Sequence, residues 1–389
     1  VAFVKIALLS DCYLPRLGGI EVQVHDLAER LISRGHEVVV FTATPGDHGE
    51  RGGFVDEVDG VSVHRLALRL PFELPVNPLA ARLLRRRLAG GGFDVAHVHM
   101  GVVSPFAVDC ARVTTGLGLP TVMTWHCMLG SLEPVFRAAG QVRTWAARGV
   151  AMNAVSAVAA EPLQRIVGSS GVVNVLSNGI EVDRWAPQAG QASVREAGGA
   201  VRVVSAMRLA GRKRPLPLLR IMARVRAIVP NDIGMSLEIL GEGPDRRRLE
   251  RFVAAHDMGG WVHLPGRVTR DELRQKYAAS DIYAAPAPLE SFGIAALEAR
   301  TVGLPVVGRW GSGLQEFVTD GVNGYLAADD EAMAGALARL VADPELRGTM
   351  TAYNLGTSPA QSWGRILDRA EDEYRRAIAL AGSAARTGP

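Results

Sequence analysis

Val4-Lys5-Ile6-Ala7-Leu8-Leu9, residues 22–32 and Glu37-Val38-Val39-Val40-Phe41 decide the architecture between them. The first is an apolar run of the kind a buried strand uses. The second sets Val24, Leu27, Ala28 and Leu31 at helical spacing. Gly35 supplies the left-handed stop that helices favour, and residues 37–41 return to a strand. The same rhythm recurs at Asp94-Val95-Ala96-His97-Val98-His99 and Pro120-Thr121-Val122-Met123-Thr124-Trp125. Strands joined through helices must run parallel, so the pattern specifies an α/β protein whose sheet is covered on both faces.

Around residues 172–205 the texture changes. Val172-Val173-Asn174-Val175-Leu176-Ser177-Asn178-Gly179 closes a first block, and residues 187–200, rich in Gly, Ala and polar side chains, form the linker candidate. A second rhythm starts at Val201-Arg202-Val203-Val204-Ser205. It continues through strands at 236–240, 261–264, 282–285 and 304–307, with helical patterns at 246–255 and 271–279 between them. Two open parallel-sheet domains facing across a cleft are expected, 1–190 and 191–360, with ligands at the carboxyl ends of the strands. Residues 361–380 carry a helical stripe of Ile366, Leu367, Ala370, Tyr374 and Ile378, and residues 381–389 read as a loose tail.

Composition agrees. The 389 residues are 48% hydrophobic and 21% charged, which excludes a disordered chain or a coiled coil and fits about two domains. The balance of 43 Lys+Arg against 40 Asp+Glu is +3, too even for a protein that coats nucleic acid. Cys12, Cys110 and Cys127 are scattered and odd in number, offering neither a disulfide framework nor a metal knuckle. No apolar run is long enough to span a bilayer, and the apolar start runs into Asp11 without a basic leader. The expected location is the cytoplasm.

The chemistry concentrates in Ala284-Ala285-Pro286-Ala287-Pro288-Leu289-Glu290-Ser291-Phe292-Gly293-Ile294-Ala295-Ala296-Leu297-Glu298-Ala299. A strand ends, a proline-containing loop follows, and a helix starts near Gly293. Its first turn offers unpaired backbone N–H groups and partial positive charge, which suit a phosphate. Glu290 and Glu298 are separated by at most roughly 12 Å at 1.5 Å per helical residue, about the reach from the sugar of a nucleotide-sugar to its ribose. The plainer alternative makes Glu290 a helix cap and Glu298 part of a solvated face, but Leu297, Ala299 and Val302 around Glu298 argue against the latter.

Glutamate, seven residues, glutamate around Ser-Phe-Gly resembles the signature of the family-four retaining glycosyltransferases of the GT-B fold. Four further stretches agree, in the family's order: Gly18-Gly19-Ile20-Glu21, Asn178-Gly179-Ile180-Glu181, Arg208 with Lys213, and Gly241-Glu242-Gly243-Pro244. The resemblance covers about residues 4–345 and extends to the phosphatidylinositol mannosyltransferases. It implies two Rossmann-like domains, with the C-terminal helix crossing back onto the first, acceptor-binding domain. It also implies transfer of a hexose from a nucleotide-diphosphate sugar to a lipid-linked or small-molecule hydroxyl, by front-face attack with retention. Arg208 and Lys213 would hold the diphosphate, whose charge grows as the sugar–phosphate bond breaks. Gly18 and Gly19 would let backbone approach the ligand. Glu290 would hold sugar hydroxyls, and Glu298 the ribose. Ser291, Phe292, Gly293 and Ile294 would line sugar and phosphate, the last three through backbone, and Val268 with Arg267 would face the base. His126, in Thr124-Trp125-His126, would contact the donor sugar or the acceptor.

His97 and His99 share one strand face and read as structural or cleft-lining. With Arg208, Lys213 and a helix N-terminus available and no Asp-x-Asp motif, no obligatory metal or other cofactor is expected. Residues 79–88 place Arg82, Arg85, Arg86 and Arg87 among four leucines, either a solvated surface helix or a basic amphipathic one lying on anionic lipid at the inner face of the cell membrane. The resemblance to the phosphatidylinositol mannosyltransferases slightly favours GDP-mannose over UDP-sugars as donor. One departure stands out: the family's Glu-Ala-Met-Ala is Glu298-Ala299-Arg300-Thr301 here. A non-catalytic glycosyltransferase-like subunit is the alternative, opposed by the joint presence of Arg208, Lys213, Glu290 and Glu298. A dinucleotide-dependent oxidoreductase ranks low, since no Gly-x-Gly-x-x-Gly follows a strand with an acidic residue about 20 positions on.

Overall fold

A computed structural model describes residues 3–16, 18–45, 53–67, 77, 79–187 and 199–387, with side chains to residue 384. The expected linker lies outside them but for its ends. In chain order the elements are β1 (Lys5–Ser10), α1 (Gly19–Ser33), β2 (Glu37–Thr42), β3 (Phe54–Val58), β4 (Val61–Arg65), α2 (Ala80–Ala89), β5 (Val95–Met100), α3 (Pro105–Gly116), β6 (Thr121–Trp125), α4 (Glu133–Ala139), α5 (Gln141–Ala147), β7 (Ala151–Ala154), α6 (Ala157–Val167) and β8 (Val173–Val175). There follow α7 (Val182–Trp185), β9 (Val201–Ala206), α8 (Pro215–Ile228), β10 (Met235–Leu240), α9 (Arg246–Ala255), β11 (Val262–Gly266), α10 (Arg270–Ala278), β12 (Ile282–Ala284), α11 (Ile294–Thr301), β13 (Val306–Arg309), β14 (Gly324–Ala327), α12 (Asp330–Ala342), α13 (Pro344–Gly356) and α14 (Trp363–Thr387).

The chain divides into two compact units. One comprises Val1–Gly179 with Trp363–Pro389, the other Ile180–Ser362. The first unit holds an eight-stranded sheet in the order β3-β4-β2-β1-β5-β6-β7-β8, parallel except for the β3–β4 hairpin. That hairpin turns through Asp59 and Gly60, both at positive φ, the turn chemistry that two-residue hairpins require. The second unit holds a wholly parallel sheet, β11-β10-β9-β12-β13-β14. In each sheet the chain reverses its direction of growth beside the first strand of that sheet, between β1 and β5 and between β9 and β12. Open α/β sheets bind ligands outside such points.

The first sheet has an apolar core on each face. One face packs Leu84, Phe106, Ala107 and Leu163 from α2, α3 and α6; the other packs Val24, Leu27 and Leu31 of α1 beside α14. Helix α14 runs to Thr387, so the tail expected after residue 380 continues the helix as far as the described residues reach. Its buried stripe is Ile366, Leu367, Ala370, Tyr374 and Ala377. Ile378 is largely exposed, because the 3.6-residue period brings 377 rather than 378 beneath 370 and 374.

Polar contacts complete the docking of α14. The buried Glu373 accepts from Asn153 Nδ2 at 3.0 Å and Asn174 Nδ2 at 2.6 Å, joining β7 and β8 to the helix, and Arg376 pairs with it at 2.7 Å. Arg34, just past α1, pairs with Asp368 and Glu371. Gly179 is clamped at both backbone groups by the amide of Gln23, at 2.9 and 3.0 Å. A Cβ at Gly179 would fall 2.4 Å from the Trp363 ring, so only glycine fits.

Candidate active site

In the second unit the candidate residues converge where the sheet order reverses. β9 runs into Met207-Arg208-Leu209, and this strap is tied strand-fashion to the loop after β10. Met207 N donates to Leu240 O, Leu209 N to Glu242 O, and Asp245 N to Leu209 O. The glycines of Gly241-Glu242-Gly243-Pro244 follow from that closeness. A Cβ would lie 2.0 Å from Met207 O at residue 241 and 2.3 Å from Leu209 O at residue 243, and Gly241 sits at φ +128°. The motif is thus a backbone seat that fixes where Arg208 emerges. The Arg208 side chain is exposed and makes no ion pair among the described residues.

The basic run Arg212-Lys213-Arg214 splits three ways. Arg212 is exposed. Lys213 Nζ donates to Glu290 Oε2 at 2.5 Å, with side chains 26% and 19% exposed. Arg214, at φ +61°, caps α8 and grips Asp330 with both terminal nitrogens at 2.8 Å, while Arg309 binds the same carboxylate. That places Lys213 between an outward arginine and a structural one. Two arginines on Asp330 hold its carboxyl below the usual range.

After β12 the chain passes Glu290 and turns at Gly293, φ +91°, into α11. Ala296 N and Leu297 N both bond to Gly293 O, which leaves the N–H groups of Ile294 and Ala295 ahead of any intrahelical acceptor. Phe292 is buried edge-on against Phe317, which holds its ring inside the unit. Gly313 N donates to Glu290 O at 2.7 Å and holds the loop from beneath. Glu290 is therefore not the helix cap; Gly293 is. Nor is Glu298 on a solvated face: it is 6% exposed, close to the phenols of Tyr277 and Tyr283, both pushed up by burial first and by the neighbouring carboxylate charge. Val268 is half-buried between β11 and α10, beside the exposed Arg267. Arg208, Lys213, Glu290, Glu298 and Val268 thus all follow strand ends or lie on α11 in this one unit.

Arg300, the departure from the family pattern, is buried on α11 with Nε and Nη1 lacking any hydrogen-bond partner. Burying an unpartnered guanidinium is costly. Arg300→Met is expected to stabilise the protein by about 1–3 kcal/mol in denaturant unfolding. A loss of stability would show that the arginine is satisfied by solvent or ligand.

In the first unit, Gly18 is the extended N-cap and Gly19 the first residue of α1, both exposed. The helix therefore begins three residues before residue 22, where the apolar spacing starts. The buried Glu21 in its first turn pairs with Arg16 at 3.4 Å and folds back toward Gly18, where a Cβ would meet it at 2.3 Å. His126 follows β6, half-buried, with Nε2 2.9 Å from His99 Nδ1. His97 stacks on His99 at 4.2 Å and bonds Tyr374 Oη and Thr124 Oγ1. Burial holds all three imidazoles neutral, His126 pushed down to about 4 and His97 to about 3. His97 and His99 line a cavity beside His126, and no group of metal-ligating side chains is assembled among the described residues. Sequence reasoning did not find Ser177 beside this cavity or Tyr374 as a partner of His97. On α2, Arg82, Arg85 and Arg86 face solvent while Arg87 turns inward, its charge helping burial to lower His64.

Two parallel α/β units, one with a Glu-x7-Glu helix entry beside an arginine and a lysine, define a GT-B glycosyltransferase. Residues 17–184 match the model "Glycosyltransferase Family 4" and residues 191–355 match "Glycosyl transferases group 1". The chain belongs to the family-four glycosyltransferases. It is 29% identical to the D-inositol 3-phosphate glycosyltransferase of Pseudarthrobacter chlorophenolicus, over 93% of this chain and 91% of that one. It is 24% identical to the phosphatidylinositol N-acetylglucosaminyltransferase gpi3 subunit of Schizosaccharomyces pombe, over 94% and 79%. Among solved structures, a sucrose-phosphate synthase from Thermosynechococcus elongatus superposes with TM-score 0.76 at 22% identity, covering 97% and 99% of the two chains. Anabaena HepE in complex with UDP and glucose gives 0.70 at 18%, covering 99% of each. No helix among the described residues is long and apolar enough to cross a membrane.

Proposed function

We propose that the protein moves a hexose from a nucleoside-diphosphate sugar to a hydroxyl of an inositol phosphate or an inositol lipid, with retention at the anomeric carbon. The observation that carries this reading is the Lys213–Glu290 ion pair, which ties the turn after β9 that also carries the exposed Arg208 to the loop that leads into α11. Glu290 takes sugar hydroxyls. Arg208, Lys213 and the N–H groups of Ile294 and Ala295 take the diphosphate, neutralising charge as the glycosidic bond to phosphate lengthens. Glu298 receives the ribose, and backbone near Val268 the base. The phosphate oxygen that leaves is the acceptor's proton sink, so no protein nucleophile and no metal enter the scheme. Gly18, Gly19 and His126 belong to the ligand-facing edge of the first unit.

The acceptor class is supported by the relatives named for D-inositol 3-phosphate and phosphatidylinositol. The resemblance to the phosphatidylinositol mannosyltransferases leans to GDP-mannose as donor, whereas the neighbour solved with UDP and glucose favours a uridine donor. Calorimetric titration with GDP, UDP and ADP decides. One nucleotide is expected to bind at micromolar affinity, weakened at least tenfold in both Arg208→Ala and Glu298→Ala. If none binds to the folded protein, the donor site is wrong and a non-catalytic subunit becomes the better reading.

A lipid acceptor gives the exposed Arg82, Arg85 and Arg86 of α2 a task, holding the protein on the inner, anionic leaflet of the cytoplasmic membrane. Co-sedimentation with vesicles containing phosphatidylinositol is expected at low salt and to disappear when the three become glutamine. Equal sedimentation of wild type and variant would sink the idea.

A further inference from the structure

We propose that Trp310 is the platform on which the transferred hexose lies, its indole packed against the C–H face of the pyranose; this deepens the reading of Glu290 as the sugar-holding residue, on which it rests. Six tryptophans occur in the chain. Trp125, Trp145, Trp185 and Trp363 are buried and Trp261 is half-buried, whereas Trp310 is 59% exposed. It follows β13 directly, at the carboxyl edge of the second sheet.

Strand alternation tells which way it faces. Arg309 turns toward the N-termini of α8 and α12, where it binds Asp330 beside Arg214. The ladder to β14 continues through Trp310 N, which donates to Ala327 O at 2.9 Å, so Gly308 and Trp310 belong to the opposite face. A Cβ at Gly308 would fall 2.4 Å from Leu314 Cδ2, and one at Gly293 would fall 3.0 Å from Leu314 Cδ1. Leu314 thus fills the space between β13 and the entry of α11. Trp310 stands two residues past Gly308, roughly 7 Å nearer the carboxyl edge, on the face where α11 begins.

Strand order gives the platform its ligand. Val268 follows β11, Arg208 follows β9 and Glu290 follows β12, in a sheet that runs β11-β10-β9-β12-β13. Base, diphosphate and sugar therefore advance along one edge, and the next place is the end of β13. The loops after β12 and β13 are joined there. Gly313 N donates to Glu290 O at 2.7 Å, and a Cβ at Gly313 would fall 2.1 Å from Ser291 O. Leu289, the residue before Glu290, is 62% exposed and adds apolar surface. The backbone beneath the indole is fixed: Gly311 N donates to Gln315 Oε1 at 2.9 Å, and Ser312 Oγ to Arg309 O at 2.6 Å. A rigid aromatic side chain loses little entropy on binding. A pyranose held at its hydroxyls by a carboxylate keeps a C–H face, which the negative face of an indole complements without hydrogen bonds.

Acrylamide quenching of tryptophan fluorescence tests this, because Trp310 is the exposed fluorophore. UDP-glucose, UDP-N-acetylglucosamine and GDP-mannose are each compared with the diphosphate they contain. The nucleotide-sugar that binds should shield Trp310, and its diphosphate alone should not. Surface substitutions here should leave the protein folded. Trp310→Ala should weaken binding of that nucleotide-sugar about fivefold with the diphosphate unchanged. Trp310→Phe, which keeps a flat ring, should recover most of the loss. Equal weakening of both ligands in Trp310→Ala overturns the proposal. So does shielding by phosphatidylinositol vesicles alone, which would make Trp310 a membrane anchor. If the diphosphates bind but the sugar adds nothing at Trp310, the donor site stands and the platform alone falls. If neither ligand binds the folded protein, both fall.

Discussion

Lys213→Met should lower the rate of sugar transfer by about 10²–10³-fold, the usual cost of removing one preorganised donor from a developing oxyanion. The ammonium sits 2.5 Å from Glu290, on the residue following the Met207–Leu209 strap by a short helical turn, and both partners are largely shielded. The methionine keeps the aliphatic stem and removes only the charge. Nucleotide affinity should fall far less than the rate, because Arg208 and the α11 N–H groups bind the same diphosphate before its charge has grown. Single-turnover kinetics separates the two. Lys213→Arg should recover only part of the loss, since a planar fork does not replace a point charge in this space. A Lys213→Met enzyme working within tenfold of wild type would remove Lys213 from the chemistry.

Glu373→Ala should destabilise the first unit by about 3–5 kcal/mol, the range for breaking a buried charged network from one side. Glu373 is 7% exposed and its carboxylate is shared by Asn153, Asn174 and Arg376, so three side chains on β7, β8 and α14 lose this acceptor together. Thermal unfolding should shift down by about 10 °C. Glu373→Gln, which retains one acceptor oxygen, should lose about half as much. A shift below 2 °C for the alanine would mean that apolar packing of Ile366, Ala370 and Tyr374 alone seats the helix.

Much of the architecture is legible because parallel sheets leave a plain signature: apolar runs such as Ile6-Ala7-Leu8-Leu9 in β1 separated by amphipathic helices. β3 escapes that reading. As an edge strand it is half exposed, its residues Phe54–Val58 alternate weakly, and only Asp59-Gly60 announces the turn. Glu298 is legible as buried from its apolar neighbours. Its partner carboxylate is not so simple: the Lys213–Glu290 pair spans 77 positions and exists because β9 and β12 are neighbours, a fact of strand order rather than local pattern. The division of labour within Arg212-Lys213-Arg214 is hidden for the same reason, since Asp330 reaches Arg214 from 116 residues away. The histidine cluster shows the limit most plainly. The shared face of His97 and His99 follows from strand period, but the void between His99 and Ser177 depends on how side chains fill space.

The first unit is discontinuous in sequence, and that imposes an order on its biogenesis. Ile180–Ser362 is one unbroken segment and can finish folding while the chain is still being made. Residues 1–179 wait: until Trp363 and the helix it begins have left the ribosome, the face formed by Val24, Leu27 and Leu31 is open to water, and Asn153 and Asn174 lack the carboxylate that joins them. A helix made after the second unit closes a sheet made before it. During synthesis the exposed face is the surface a chaperone would meet, and a premature stop before residue 363 would leave it uncovered permanently.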